Sequence, residues 1–345
     1  MKAAVLETEH RLAIREVDPP RIRAADEVLI RVRTVGVCGS EVHAFEGTHP
    51  YRKAPVILGH EMAGDVVAVG EAVRAFRVSD RVVVDPQWIC GVCRHCRAGN
   101  ANLCPSKQVL GTRSWPGAFG ELIVAPENAT FALPPTLSYA EGSLIEPLTI
   151  AVHVVRRAGL KAGESVAILG SGSVGALIAG VASALEAGPI ITADIRQHCL
   201  DVARRRLGAT HSILLPDASF PATIQTLTNG EGVHTVFVCA DDAKLVNLAL
   251  EIAGRRGRVV LVALITSEPL GLQAFDLISK EISLIGSLMA NHDDVRTALE
   301  LASSRRVDVA AILTHRLPIE KAQRGMEMAA TKDDGAIKVV LEFGA

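Results

Sequence analysis

Cys38, in VGVCGSEVH, and the adjacent pair His60-Glu61, in LGHEMAG, offer a thiol, an imidazole and a carboxylate. Together they could hold a divalent metal and leave a fourth position for water or a substrate oxygen. Taken singly, each would more often be a packing residue, so the set counts for more than its members. Glu146, in IEPL, is a further carboxylate that could bind the metal's water or replace it as a ligand. A second constellation, Cys90-x2-Cys93-x2-Cys96-x7-Cys104, can close around one ion as four thiolates. Zinc suits that set best, since it accepts tetrahedral sulfur ligation without redox activity; iron is chemically possible, although there is no second cluster. With every position taken by sulfur, such an ion would be structural and would fold a loop short of apolar residues.

The third chemical signal is Gly170-Ser171-Gly172-Ser173-Val174-Gly175. A lone GxGxxG is weak, but this one follows the apolar run SVAIL and opens a long apolar helix. The first glycine permits a tight turn, the second lets the backbone approach a pyrophosphate, and the third allows close helix–strand packing. Phosphate charge would then meet the unpaired N–H groups of a helix N-terminus. Asp194 ends the next apolar run, 19 residues beyond Gly175, where a ribose 2′-hydroxyl acceptor is expected. It would repel a 2′-phosphate, so NAD is favoured over NADP. Arg196 complicates that choice, because a guanidinium could pair with a 2′-phosphate or lie along the adenine; Asp194 could also be an ordinary strand-end cap.

Elements of the right kind surround these motifs. Up to about residue 150 the chain reads as short Val/Ile/Leu-rich strands such as VLIRVRTVGV (28–37), MAGDVVAVG (62–70) and DRVVVDP (80–86). Ser138 with Glu141 is a capping box, and 148–158 has helical periodicity. From about 165 apolar strands alternate with helices, the pattern of a parallel sheet covered by helices. The domains expected are 1–150, carrying a structural zinc lobe at 88–106, a nucleotide-binding domain at 151–286, and a return to the first domain at 287–345.

A chain of 345 residues, 49% hydrophobic, can build two cores. Its formal charge of -2 gives no reason to expect a nucleic-acid or membrane partner. Seven cysteines, an odd number, with no secretory signal or apolar span in view, point to metal chemistry in a reducing compartment, hence a cytoplasmic protein.

Taken together, the motifs GVCGSEVH (36–43), GHEMAGDVVAVG (59–70), FRVSDRVVV (76–84), the four-cysteine lobe, LIEPLTIAVH (144–153) and GSGSVG (170–175) resemble the zinc-containing medium-chain dehydrogenases. The likeness runs over essentially the whole chain and is nearest to the sorbitol, butanediol and threonine dehydrogenase branch. It implies an α/β two-domain fold, a GroES-like β-rich catalytic domain plus a Rossmann doubly wound sheet, with the active site in the cleft between them. It implies one catalytic zinc on Cys38, His60 and Glu61, with Glu146 beside it, and one structural zinc on the four-cysteine lobe. Ser40 and His43 match the positions that pass the hydroxyl proton outward. The implied activity is hydride transfer between a small secondary alcohol and NAD+, giving a ketone, in a homo-oligomer, a dimer or tetramer.

Sorbitol-type chains commonly carry Arg-Tyr where this one has Met289-Ala290, in GSLMA, which removes two hydrogen-bonding anchors. The threonine-type pattern is weak too, since EPL stands where that group tends toward DPF. Sugar alcohols, sugars or cyclitols are the expected substrates, ahead of small diols.

Overall fold

The computed structural model describes residues 1–265 and 271–344. The chain forms two compact units, Met1–Glu146 with Ala290–Ser303 and Leu313–Ala345, and Pro147–Met289 with Ser304–Ile312.

The first unit is β-rich. Its main sheet runs Thr130–Ala132, Arg81–Val84, Glu61–Val69, Glu27–Gly36, Lys338–Glu342, Leu313–Pro318, and Leu122–Pro126 also pairs with Glu27–Gly36. In Glu27–Gly36 the residues Val28, Ile30 and Val32 are fully buried while Arg31 faces solvent, the alternation of a strand with one face on a core. Those side chains join a cluster that includes Leu6, Met62, Phe119 and Leu341. The strand Lys338–Glu342 lies antiparallel to Glu27–Gly36, with Val340 opposite Gly36. A smaller sheet, Arg11–Glu16, Lys2–Thr8 and Val56–Ile57, and a two-stranded pair, Gln87–Trp88 with Gln108–Val109, complete the β structure among the described residues.

The second unit holds a six-stranded parallel sheet in the order His211–Leu214, Ile190–Asp194, Val166–Leu169, Val233–Val238, Ala253–Leu261, Ser283–Gly286. Val166–Leu169 and Ile190–Asp194 are buried at every position, as strands covered on both faces must be. The strand order reverses beside Val166–Leu169, the doubly wound topology whose crevice takes nucleotides. The architecture agrees with the fold class expected, a β-rich unit and a Rossmann-like doubly wound parallel sheet.

Local chemistry sets the ends of the elements. The Ser138 backbone N–H donates to Glu141 Oε2 at 2.8 Å and Ser138 Oγ accepts from the Glu141 N–H at 3.2 Å, forming the capping box expected there. A seven-residue helix, Gly39–Phe45, follows Cys38 and escaped the sequence reading, because two turns are too short to show a period. No helix of the described residues is long and apolar enough to cross a membrane.

Candidate functional site

Cys38 sits at the N-cap of the helix Gly39–Phe45, and its backbone N–H donates to Glu41 Oε2 at 2.9 Å. This is a capping box with Cys in the Ser/Thr position. It fixes the fully buried Glu41 so that its other oxygen meets His60 Nδ1 and accepts from Arg52 Nη1 at 3.3 Å. The ligand atoms of Cys38, Glu41 and His60 lie within 4.8 Å of one another. Glu41 is thus the carboxylate behind the histidine, an arrangement that sets ring orientation at metal sites and leaves Nε2 for the metal. Burial pulls the His60 pKa down, but the Glu41 charge and hydrogen bonds to Cys38 and Glu41 raise it well above its ordinary value. Burial would raise Glu41, yet the neighbouring His60 and Arg52 bring it down to about 2.

His60 belongs to a second group as well, for its ligand atom and those of Glu61 and Glu146 also lie within 4.8 Å. Glu61 opens the strand Glu61–Val69 and faces Gly36 across the ladder. A Cβ on Gly36 would stand 2.1 Å from Glu61 Oε2, so a glycine there makes room for the carboxylate. Both Glu61 oxygens accept from Lys338 Nζ, at 2.7 and 2.8 Å, and Lys338 also donates to the Val37 carbonyl at 3.2 Å. Each carboxylate oxygen keeps a second lone pair, so the pairing leaves Glu61 able to face a cation. Half-buried Glu146, in the first turn of the helix Ile145–Ala158, has its carboxyl pushed up to about 7. Desolvation is the main cause; His60 and Lys338 oppose it, while Glu61 and Glu41 add to it. The structure thus joins Cys38, Glu61 and Glu146 through the shared His60, rather than as one tight group.

The proton-path candidates sit on the same short helix. Ser40 Oγ accepts from Arg52 Nη1 at 2.6 Å, which orients its own hydroxyl hydrogen elsewhere. His43 Nδ1 lies 3.0 Å from Thr48 Oγ1. Glu41, Arg52 and Lys338 were all missed by the sequence reading. Glu41 had a signal, three residues after a capping position; Lys338 had another, a lone cation inside the apolar run AIKVVLEF.

Cys90, Cys93, Cys96 and Cys104 offer sulfurs all within 4.8 Å, with Cys93–Cys96 and Cys90–Cys104 contacts at 3.5 Å. That fits thiolates around one tetrahedral ion, for which Zn–S of about 2.3 Å puts sulfurs a little under 4 Å apart. Among the described residues the donor atoms thus form the four-cysteine group and two groups that share His60, each able to hold a metal.

In the second unit Gly170 adopts φ +97, and a Cβ there would meet the Ala240 nitrogen at 2.9 Å. A Cβ on Gly175 would stand 1.9 Å from the Gly170 carbonyl oxygen, whereas one on Gly172 would meet nothing within 4 Å. The tight turn and close packing expected of the outer glycines are thus present, and the middle one leaves open approach for a phosphate. Gly172 caps the helix Ser173–Ala184, so the half-exposed Ser173 and Val174 stand in its first turn. Buried Asp194 accepts from the Ser171 N–H at 2.6 Å and the Arg196 N–H at 2.9 Å, one bond on each oxygen. It shapes the loop and retains lone pairs for ribose hydroxyls.

Two family models match, the alcohol dehydrogenase GroES-like domain over residues 24–135 and the zinc-binding dehydrogenase domain over 173–304. A sorbitol dehydrogenase of Bacillus subtilis is 35% identical over 99% of this chain and 97% of its own. The chain belongs to the zinc-type medium-chain dehydrogenases. Within this dehydrogenase family a probable D-xylulose reductase A of Aspergillus clavatus is 32% identical, covering 94% of this chain and 92% of that one. Among solved structures, an Escherichia coli dehydrogenase of unknown specificity, described as involved in membrane biogenesis, superposes with a TM-score of 0.94 at 31% identity. It covers 100% of this chain and 99% of its own. The fold and the Cys/His/Glu cluster of this dehydrogenase are those of an NAD-dependent alcohol oxidoreductase.

Proposed function

We propose that the protein oxidises a neutral polyhydroxylated secondary alcohol, a sugar alcohol, sugar or cyclitol, to the ketone with NAD+, and runs the reverse reduction. The observation that carries the reading is the shared placement of His60 between Cys38–Glu41 and Glu61–Glu146 in one unit. The names of the relatives, sorbitol dehydrogenase and D-xylulose reductase, support the substrate class.

Cys38, His60 and Glu61 would hold a catalytic zinc, with Glu146 beside it, and the four-cysteine lobe a structural one. When bound, zinc supplies the positive charge that favours the deprotonated alcohol, and the nicotinamide accepts the hydride. The protein's part is placement and proton handling. Glu41 holds the His60 ring, Arg52 holds the Ser40 hydroxyl, and Ser40 with His43 gives the alcohol proton an outward path. Gly170, Gly172, Ser173, Val174 and Gly175 receive the pyrophosphate. Asp194 receives the adenosine ribose, which favours NAD+ over NADP+, and Arg196 borders the same edge.

A second reading, a small-diol dehydrogenase, is favoured by one observation: Met289 and Ala290 stand where polyol-type chains place hydrogen-bonding side chains. Homo-oligomer formation fits the edge strand Ser283–Gly286 and the exposed Phe275 and Ile278 on the helix Ala274–Ser279. The deciding experiment is the initial rate of NADH formation by zinc-replete protein on sorbitol, xylitol, myo-inositol, a free sugar, 2,3-butanediol and threonine, with NADP+ in parallel. Turnover of a polyol or cyclitol upholds the first reading. Turnover of butanediol alone replaces it with the second.

A further inference from the structure

Asp85 follows the strand Arg81–Val84, which pairs with Glu61–Val69 so that Val83 faces Ala63 and Arg81 faces Asp65. That ladder ends at Ala63–Val83, two residues short of Asp85 on one strand and of Glu61 on the other. Its backbone N–H still donates to the Ala129 carbonyl at 2.8 Å, so the chain has not yet left the sheet. Gln87 lies two residues further, and both side chains are deeply buried, at 4% and 2% exposure.

Gln87 has its amide orientation fixed. Its Nε2 donates to Asp85 Oδ1 at 3.1 Å and to the Ala290 carbonyl at 2.7 Å, both of which can only accept from it. Gln87 Oε1 is therefore turned away from them as an obligate acceptor. Among the described residues nothing donates a hydrogen bond to Gln87 Oε1 or to Asp85 Oδ2. His292 Nε2 stands 3.4 Å from Asp85 Oδ2 and likewise lacks a hydrogen bond, while its ring rests edge-on against Phe131. Unmatched buried polar atoms are rare and cost stability, so Gln87 Oε1 and the loosely facing pair of Asp85 Oδ2 and His292 Nε2 call for a further partner. Two acceptors beside a ring nitrogen call for a partner rich in hydrogen-bond donors, and adjacent hydroxyls supply that. Glu146 is among the groups whose charge reaches Asp85, in keeping with placement beside the metal cluster.

We propose that Asp85 Oδ2 and Gln87 Oε1, with His292 Nε2 beside them, form a specificity subsite. It accepts hydrogen bonds from hydroxyl groups of the substrate next to the carbon being oxidised. The inference rests on the polyol reading above and deepens it. Ala290 contributes the carbonyl that aims Gln87.

The test uses zinc-loaded full-length protein and two variants, Asp85→Asn, which replaces an acceptor at constant shape, and Gln87→Met, which keeps length. Two readouts are taken: kcat/KM on sorbitol, xylitol and myo-inositol relative to 2-butanol and cyclohexanol, and polyol binding by fluorescence of Trp88, next to Gln87. Zinc content and melting midpoint show whether each variant is folded. We expect the polyol-to-monoalcohol ratio to fall about 10- to 100-fold in each variant, with polyol Kd rising by a similar factor. A ratio and Kd within about twofold of the parent, in folded and zinc-loaded protein, overturns the subsite and leaves buried water as the partner of these atoms. Should Asp85→Asn not fold, Gln87→Met decides alone. Should the parent oxidise no secondary alcohol, the functional reading fails, and polyol binding by fluorescence still decides the subsite.

Discussion

Lys338 and Glu61 are buried to 3% and 1% side-chain exposure and meet through two short contacts. Burial pulls the Lys338 pKa down, but Glu61, Cys38 and Glu146 together raise it, so the lysine is the counter-charge of the metal cluster. Lys338→Met keeps the volume and removes that charge, leaving Glu61 buried with no cation within hydrogen-bonding reach among the described residues. Orphaning one member of a buried pair costs about 3–5 kcal/mol, undiminished by solvent screening at this depth. A divalent ion beside Glu61 would replace the lost charge, so zinc should recover much of the loss, roughly half or more. The assay is urea denaturation followed by tryptophan fluorescence, with and without zinc. Trp88 and Trp115 are the chain's two tryptophans and both lie in the first unit, so the signal reports that unit even if the two units unfold separately. Zinc on the four-cysteine lobe stabilises parent and variant alike and cancels in the difference. An equal gap between parent and variant with and without zinc would refute the reasoning, because Glu61 would then not face the metal.

Glu41→Gln should weaken zinc binding at the Cys38–His60 cluster about 10- to 100-fold while the four-cysteine lobe keeps its ion; chelator titration with zinc counting would show one ion lost early, against two retained in the parent. Gly175→Ala places a Cβ 1.9 Å from the Gly170 carbonyl, a backbone atom that cannot step aside. NAD+ Kd by calorimetry should therefore rise at least about tenfold. Asp85 should also govern stability against pH. Burial, with a smaller push from Glu146 and against the Gln87 hydrogen bond, raises its carboxyl to about 7 from an unfolded value of 3.8. A raised carboxyl favours the folded state in acid. That advantage should fade between about pH 4 and 7, by up to about 1.4 kcal/mol per pH unit relative to Asp85→Asn. Parallel stability curves for parent and variant would rule this out.

The parallel sheet was legible because continuous apolar strands alternated with helices, and the nucleotide loop because Gly170 and Gly175 have a steric reason for their place and Gly172 leaves room for a phosphate. The β-rich unit was legible as strands, though its topology was not, since pairing between strands such as Arg81–Val84 and Glu61–Val69 leaves no mark in either alone. Residues with donor atoms at recognised spacing, Cys38, His60 and the four clustered cysteines, declared themselves. Glu41, Arg52 and Lys338 did not, because their role is to hold other side chains; Lys338 meets Glu61 across 277 positions of sequence. Gln87 was silent for a further reason. Its orientation depends on the Ala290 carbonyl, 203 residues away, and a backbone acceptor has no residue type to read.

That long separation has a consequence for how the protein is made. At about 5–20 residues per second, the ribosome adds Lys338 roughly 15–55 s after Glu61. Until then Glu61 lacks its cation, and Glu27–Gly36 lacks the partner strand that Lys338–Glu342 brings. The stretch Pro147–Met289, which with Ser304–Ile312 makes up the second unit, is synthesised during that wait. The nascent first unit would meanwhile expose an unpaired strand margin and an acidic pocket open to whichever divalent ion is abundant. Arrival of the late strand would close both at once, so that the metal pocket and the strand margin are completed by the same segment.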